Sequence, residues 1–173
     1  MLESRRTTLR QMTELDLALV LSWRNHSQVR NFMICQHEIS YTEHAGWFFN
    51  APPHRHLLIF EVDGTPQGFI NIERPRAESG FANWGFYKAP DSLKGIGLEL
   101  GGAGLEYAFQ VMKLERINAK VQKFNQRSIN LHLRLGFELE GRGKNLISND
   151  GHHDVLQFSL IAEQWLHTNQ RRK

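Results

Sequence analysis

The sequence predicts an α/β fold, with a sheet that is antiparallel first and acquires a parallel crossover later, flanked by helices. Residues 57–73, LLIFEVDGTPQGFINIE, are two β-rich runs joined by Asp63-Gly64, the strongest short-range hairpin signal. After residue 82, strand-like and helical segments alternate, and that order requires a crossover connection. The chain has 173 residues, 40% hydrophobic and 23% charged, enough for a sizeable core and expected to form a single domain over 1–173.

In chain order, Thr13 is a candidate cap for a helix to about Arg24, because Leu15, Leu19 and Trp23 recur at helical spacing. A short helix is expected around Ser27–Met33 and another over 41–49, capped by Thr42. APPHRH (51–56) reads as a loop, since its prolines break both helix and ladder. After the hairpin comes a third strand over 82–90, then a glycine-rich turn and a helix to about Lys113. INAKVQKF (117–124) reads as a strand, 128–137 as a helix closed by Gly136, and HHDVLQFSLIAEQW as a final strand running to the C-terminus.

Net charge is +3, but Arg5, Arg6, Arg171, Arg172 and Lys173 sit in the tails, leaving a nearly neutral body. A broad phosphate-backbone footprint is therefore not expected, and no nucleic-acid partner. No apolar run has the length of a membrane span and the first residues do not read as a secretory signal, so a cytoplasmic protein is expected. The single cysteine, Cys35, excludes an internal disulfide and a multi-cysteine zinc site, and beside Met33 and Ile34 it reads as partly buried. The histidines show no metal spacing: His54-x-His56 and His152-His153 read as exposed, and no metal is expected.

The turn SLKGIGLELGGAGLEYA (92–108) narrows the chemistry. It is not the GxxxxGK[ST] loop of nucleotide hydrolases, and GxGxxG fails at Leu100. What remains is Lys94-Gly95-Ile96-Gly97 at a helix start, where bared N–H groups and about half a positive charge favour a pyrophosphate. The other reading is a plain strand-to-helix turn. Gly101, Gly102 and Gly104 each cost about 1 kcal/mol against alanine inside a helix, so close approach to a cofactor or close helix–sheet packing is required.

Downstream, Asn125-x-x-Ser128-x-x-Leu131-His132-x-x-x-Gly136-Phe137 follows the turn. Together with Gly95-x-Gly97 it resembles the Gcn5-related N-acetyltransferase superfamily, whose usual motif has tyrosine where this chain has His132. The resemblance implies an α/β (α+β) fold with a mixed, mostly antiparallel six- to seven-stranded sheet whose central strands splay. It implies acetyl-CoA as acetyl donor, held by Phe86, Lys88, Lys94, Gly95, Ile96, Gly97, Asn125 and Ser128. The blocks LSWRNHSQVRNFM (21–33), ISYTEHAGWF (39–48), GFYKAP (85–90) and ELEGRGKNLISNDGHHDVLQFSL (138–160) are similar to the branch that acetylates the 4-amino group of a UDP-linked amino-deoxy sugar in pseudaminic acid biosynthesis. On that resemblance Arg24, Met33, His44, Trp47 and Tyr87 contact the UDP-amino-sugar, and a homodimer is compatible with it.

Direct attack by a neutral amine needs no enzyme nucleophile. It needs a base, with His44 or a water chain as candidates, an oxyanion donor near Tyr87, and an acid for the leaving thiolate, the step the resemblance gives to His132. Each has a plainer reading: Arg24 as a cap or surface ion pair, Trp47 as core, His132 as a helix residue packed beside Leu131 and Leu135. Ribosomal-protein or polyamine acetylation, and a non-catalytic coenzyme-binding module, remain as alternatives.

Overall fold

In the computed structural model the described residues are 4–143, 147–148, 151–152 and 154–171. A mixed sheet runs through them in the order β1-β2-β3-β4-β5-β9-β6. Its strands are β1 (Thr7–Gln11), β2 (Arg55–Val62), β3 (Thr65–Glu73), β4 (Phe81–Lys88), β5 (Arg116–Gln122), β6 (Glu138–Gly143) and β9 (Val155–Ile161). The short pair β7 (Ile147–Ser148) and β8 (Gly151–His152) stands apart. The helices are α1 (Leu17–Asn25), α2 (Ser27–Arg30), α3 (Tyr41–Phe49), α4 (Gly97–Glu106), α5 (Gln126–Leu135) and α6 (Ala162–Gln170). None of the described helices is long and apolar enough to cross a membrane.

The hairpin forms as its sequence dictates, with Asp63 and Gly64 turning β2 into β3. Alternation along β2 then divides two cores. Leu58 and Phe60 face the layer of α4, α5 and α6, together with Ile70, Trp84, Leu100 and Phe158. Leu57 and Ile59 face α1 and α3, with Val20, Trp23 and Phe69. Arg10 bridges Asp16 and Glu61, each at 2.8 Å, and so ties the 3-10 turn Glu14–Asp16 that begins α1 to the sheet.

The feature that positions the site is the one parallel pairing. β4 and β5 are in register only over Phe81–Trp84 and Arg116–Ala119. Beyond Trp84, β4 continues against β3 and β5 against β9, so the two strands part. The expected splay of the central strands is therefore present.

Several sequence expectations are corrected. β1 was not anticipated, because TTLRQ offers one apolar residue and owes its strand to pairing with β2 at the sheet edge. Ser40 caps α3, not Thr42: its Oγ accepts from Glu43 N at 3.1 Å. The prolines end the loop sooner than expected, and Arg55 and His56 already belong to β2. The final strand stops at Ile161 and the chain continues as α6, whose Trp165 packs on Phe109. β6 completes the sheet beside β9. The helix expected to reach Lys113 ends in a π-turn over Tyr107–Val111.

The reason for the helix glycines divides. A methyl on Gly101 would lie 2.6 Å from Leu135 of α5, and one on Gly104 2.8 Å from Ile70 of β3 and 3.1 Å from Trp84 of β4. These two let α4 lie close on α5 and on the sheet, so packing is the reason. Nothing lies within 4 Å of a methyl on Gly102, and the structure gives no account of that glycine.

Candidate active site

β4 delivers its last residues to the splay and the chain turns at once into α4. Gln67 holds that turn: its Oε1 accepts from Leu93 N at 2.8 Å while its backbone carbonyl accepts from Ala89 N at 2.8 Å. Gln67 is a buried polar side chain that the sequence reading did not single out, since nothing in TPQGF separates it from any other strand glutamine. Gly95 takes φ +77°, the left-handed region that favours glycine, and leads into Gly97 at the helix start. The first-turn N–H groups of α4 have no intrahelical carbonyl and carry the positive end of the dipole.

A methyl on Gly97 would lie 3.3 Å from Leu131 and 3.8 Å from Lys88. The end of β4, the start of α4 and the middle of α5 therefore meet at this turn, with Lys88 and Lys94 exposed on its rim. Asn125 caps α5, its Oδ1 accepting from Ser128 N at 3.2 Å, and Gly136 closes the same helix at φ +101°. The spacing between Asn125 and Ser128 thus has a local structural job. Two lysines, a glycine turn and a helix start in one place fit a pyrophosphate-bearing ligand.

His132 lies on the α4–α5 side of the sheet and is 4% exposed. Its ring is enclosed by Trp84, Phe86, Phe137 and Phe158, with centroids 5.0–5.9 Å away. Nδ1 lies 2.8 Å from the Ser128 carbonyl oxygen, and the Trp84 indole N–H points at Nε2 from 3.3 Å. A carbonyl can only accept and an indole N–H can only donate, so the proton sits on Nδ1 and the Nε2 lone pair is taken. Burial pushes the imidazole below its ordinary range, against a smaller opposing effect of the Ser128 carbonyl. Both ring nitrogens are thus engaged within the protein, the Nδ1 proton by the Ser128 carbonyl and Nε2 by the Trp84 indole.

A stability consequence follows. A histidine whose folded pKa lies below its unfolded value of about 6.5 leaves stability flat above that pH, and stability falls as the pH drops below it. His44 and His56 are depressed in the same direction, chiefly by burial. The thermal midpoint is expected to be level from pH 8 to 7 and to decline below about 6.5. His132→Gln is expected to flatten that acid limb by up to about 1.4 kcal/mol per pH unit. An unchanged acid limb in the variant would mean that the fold does not depress the ring's pKa.

The second group lies on the opposite face, under α1 and α3. Arg24, near the end of α1, is 7% exposed; one terminal nitrogen donates to the Cys35 carbonyl and the other, Nη1, has no partner. No carboxylate of the described residues lies in ion-pair range of it, so the plainer reading of a surface pair does not apply. His44 is buried, stacks on Trp47 at 5.2 Å, hydrogen-bonds the backbone of Leu17, and leaves Nε2 unpartnered. Burial pushes its ring below the ordinary range, opposed by the Leu17 backbone hydrogen bond and helped by the Arg24 charge. Trp47 also meets Phe69, which meets Tyr87 at 5.3 Å. Burial pushes the Tyr87 phenol well above its ordinary range, only partly offset by Arg24, so it stays protonated. Met33 reaches the site through its carbonyl, which accepts from Gln122 Nε2 at 3.2 Å.

The structure thus brings Arg24, Met33, His44, Trp47 and Tyr87 together on one face and Phe86, Lys88, the 94–97 turn, Asn125, Ser128 and His132 on the other, with the β4–β5 splay between them. Two histidine and cysteine expectations are corrected. Cys35 is exposed, with Sγ 2.9 Å from His37 Nδ1, because its loop lies at the surface. His54 and His56 are half-buried, not exposed, and Nδ1 of His56, in β2, lies 2.8 Å from the Tyr107 hydroxyl. His153, and the side chain of His152, lie outside the described residues.

The parallel pair parts beyond Trp84, with the 94–97 turn on one face of the sheet and the buried polar side chains of Arg24 and His44 on the other. The sequence model of the acetyltransferase (GNAT) domain matches residues 6–138, and the chain belongs to that family of acetyl-CoA-dependent N-acetyltransferases. It is 28% identical over 140 residues to the acetyltransferase PseH of Campylobacter jejuni, covering 78% of this chain and 85% of that one. It is 29% identical over 105 residues to a putative ribosomal N-acetyltransferase, YdaF, of Bacillus subtilis, covering 60% and 57%. Its fold superposes on a Vibrio cholerae spermidine N-acetyltransferase with a TM-score of 0.85 at 19% identity, over 92% of this chain and 98% of that one. An aminoglycoside acetyltransferase, AAC(6')-Ib, gives 0.78 at 21%, over 95% and 99%.

Proposed function

We propose that this N-acetyltransferase moves the acetyl group of acetyl-CoA onto the 4-amino group of a UDP-linked amino-deoxy sugar of the pseudaminic acid type. The observation that carries this reading is Arg24: a buried guanidinium with a free N–H and no carboxylate within reach. Leaving such a cation buried is costly unless an anion arrives, and a nucleoside diphosphate supplies one. A polyamine would require carboxylates there. Glu43, the acid of α3, is exposed and faces His37 at 3.1 Å. The similarity to the C. jejuni protein, whose name belongs to that pathway, supports the sugar, whereas likeness to the spermidine enzymes lies in the fold at 19% identity.

In this reading the 94–97 turn, Lys88 and Lys94 hold the coenzyme's phosphates, Asn125 and Ser128 shape the facing helix, and Phe86 lines the arm. Acetyl-CoA supplies the activated thioester. Arg24 anchors the diphosphate, Met33 and Trp47 pack the apolar faces of the acceptor, and the free Nε2 of His44 accepts the proton released by the attacking amine. Tyr87, held protonated, orients the acceptor beside the backbone N–H groups of the opened strand, which stabilise the oxyanion. The departing thiol has a pKa near 8.5, so it can leave as thiolate near neutral pH without an acid, which accommodates a His132 engaged elsewhere. A cytoplasmic enzyme is part of this reading.

The test is mass spectrometry of purified protein with acetyl-CoA and three acceptors: UDP-4-amino-sugars, spermidine and a ribosomal N-terminal peptide. An acetyl gain on the nucleotide sugar alone supports the reading. Acetylation of only peptide or spermidine rejects the sugar.

A further inference from the structure

Gln122 is the last residue of β5 and is 2% exposed, among the most deeply buried large side chains and polar where the others are apolar. Its carboxamide is half used. Nε2 donates to the Met33 carbonyl at 3.2 Å, while the buried Oε1 has no partner. An amide oxygen shut away from water without a donor is destabilising, and such an exception calls for a ligand or a functional reason.

Its place in the sheet says which ligand. Ile117, Ala119 and Val121 of β5 face the α4–α5 core, so alternation turns Gln122 to the opposite face, that of Arg24, His44 and Tyr87. The last β4–β5 pair is Trp84 with Ala119. Three residues further along each strand stand Tyr87 and Gln122, one on each limb of the splay. The loop between α2 and α3 is pinned from both sides, by Arg24 at the Cys35 carbonyl and by Gln122 at the Met33 carbonyl. Each pin keeps one polar atom unspent: a cationic donor at Arg24 Nη1, a neutral acceptor at Gln122 Oε1. An acceptor substrate that is anionic at one end and carries N–H at the other satisfies both.

We propose that Gln122 Oε1 receives a hydrogen bond from the acceptor's amine and aims that nitrogen into the splay. This rests on the acetyl-acceptor reading above and adds a residue to it. A neutral carboxamide suits the task, since it accepts from the amine in either protonation state and releases no proton of its own. Orientation of the attacking atom is where a fixed contact affects rate most.

The experiment compares the UDP-4-amino-sugar with its 4-deoxy analogue, which lacks the amine, in wild-type protein, Gln122→Met and Gln122→Glu. In Gln122→Met, kcat/KM for the sugar is expected to fall about 10- to 100-fold with KM for acetyl-CoA unchanged. The wild-type preference for binding the amino ligand over the deoxy ligand is expected to collapse toward one. Gln122→Glu keeps an acceptor oxygen and is expected to restore most of the preference. If Gln122 served only as a pin for the loop, Gln122→Met would weaken both ligands by the same factor and Gln122→Glu would rescue neither; that pattern, or unchanged kinetics, overturns the proposal. Should Gln122→Met fail to fold, Gln122→Asn, which retracts the amide by one methylene, is expected to show the same collapse, and its retention of the preference overturns the proposal. Wild-type protein that does not turn over the nucleotide sugar overturns the functional reading itself, an outcome read before any variant is made.

Discussion

Arg24→Met is expected to lower kcat/KM for the UDP-amino-sugar by about 10²- to 10³-fold while leaving KM for acetyl-CoA within about twofold. Methionine fills much of the same space, so the loss isolates the charge. In the folded chain Arg24 is 7% exposed, bonded to one carbonyl and otherwise unpaired. Truncating one partner of a desolvated charge pair costs about 2–5 kcal/mol, the origin of the expected factor. The check is steady-state kinetics with each substrate varied in turn, together with a melting curve. Because Nη1 is an unpaired buried donor in the free protein, the variant is expected to be no less stable than wild type by more than about 1 kcal/mol, the net value of the single bond to Cys35. If the sugar's kinetics were unchanged, the diphosphate would have to bind elsewhere.

Gly104→Val is expected to be a strongly damaging packing change, at about 3 kcal/mol, or roughly 6–12 °C in thermal midpoint. Even one methyl there meets Ile70 at 2.8 Å and Trp84 at 3.1 Å, and Ile70 is fully buried in the sheet. Displacing Trp84 also disturbs the indole N–H that occupies His132. Gly102→Ala is the matched control on the same helix. Its methyl meets nothing within 4 Å, so the ordinary gain of alanine over glycine, about 0.5–1 kcal/mol, is expected to appear as added stability. Thermal denaturation of the two variants checks both signs.

These two cases mark what could be read from sequence. The hairpin, the turn at Gly95, and the α5 helix closed by Gly136 were legible because each is governed by local rules of turn and cap. β1 and α6 were not: TTLRQ becomes a strand because β2 offers it an edge, and AEQWLHTNQ turns helical after a strand with no breaker between them. The helix glycines signalled that something lay close to α4. Whether that neighbour was a cofactor or another element depends on contacts between residues tens of positions apart, which no local pattern records.

The same division holds for the site. The glycine turn at 94–97 was legible from its own residues, and Arg24, His44 and Tyr87 entered as candidates through resemblance to known blocks. His132 was placed by motif as an acid. Its engagement by Ser128 and Trp84 appears only once β4 and α5 are packed together. Gln67 and Gln122 went unnoticed because a glutamine in a strand carries no signal until its burial and its partners are known.

The most direct test of the central claim is the ratio of kcat/KM for a UDP-4-amino-sugar to that for spermidine, followed by thiol release from acetyl-CoA at neutral pH. A pocket built on an unpaired buried arginine predicts a ratio of about 10³ or more in favour of the sugar. A ratio near one, or in favour of spermidine, would contradict it.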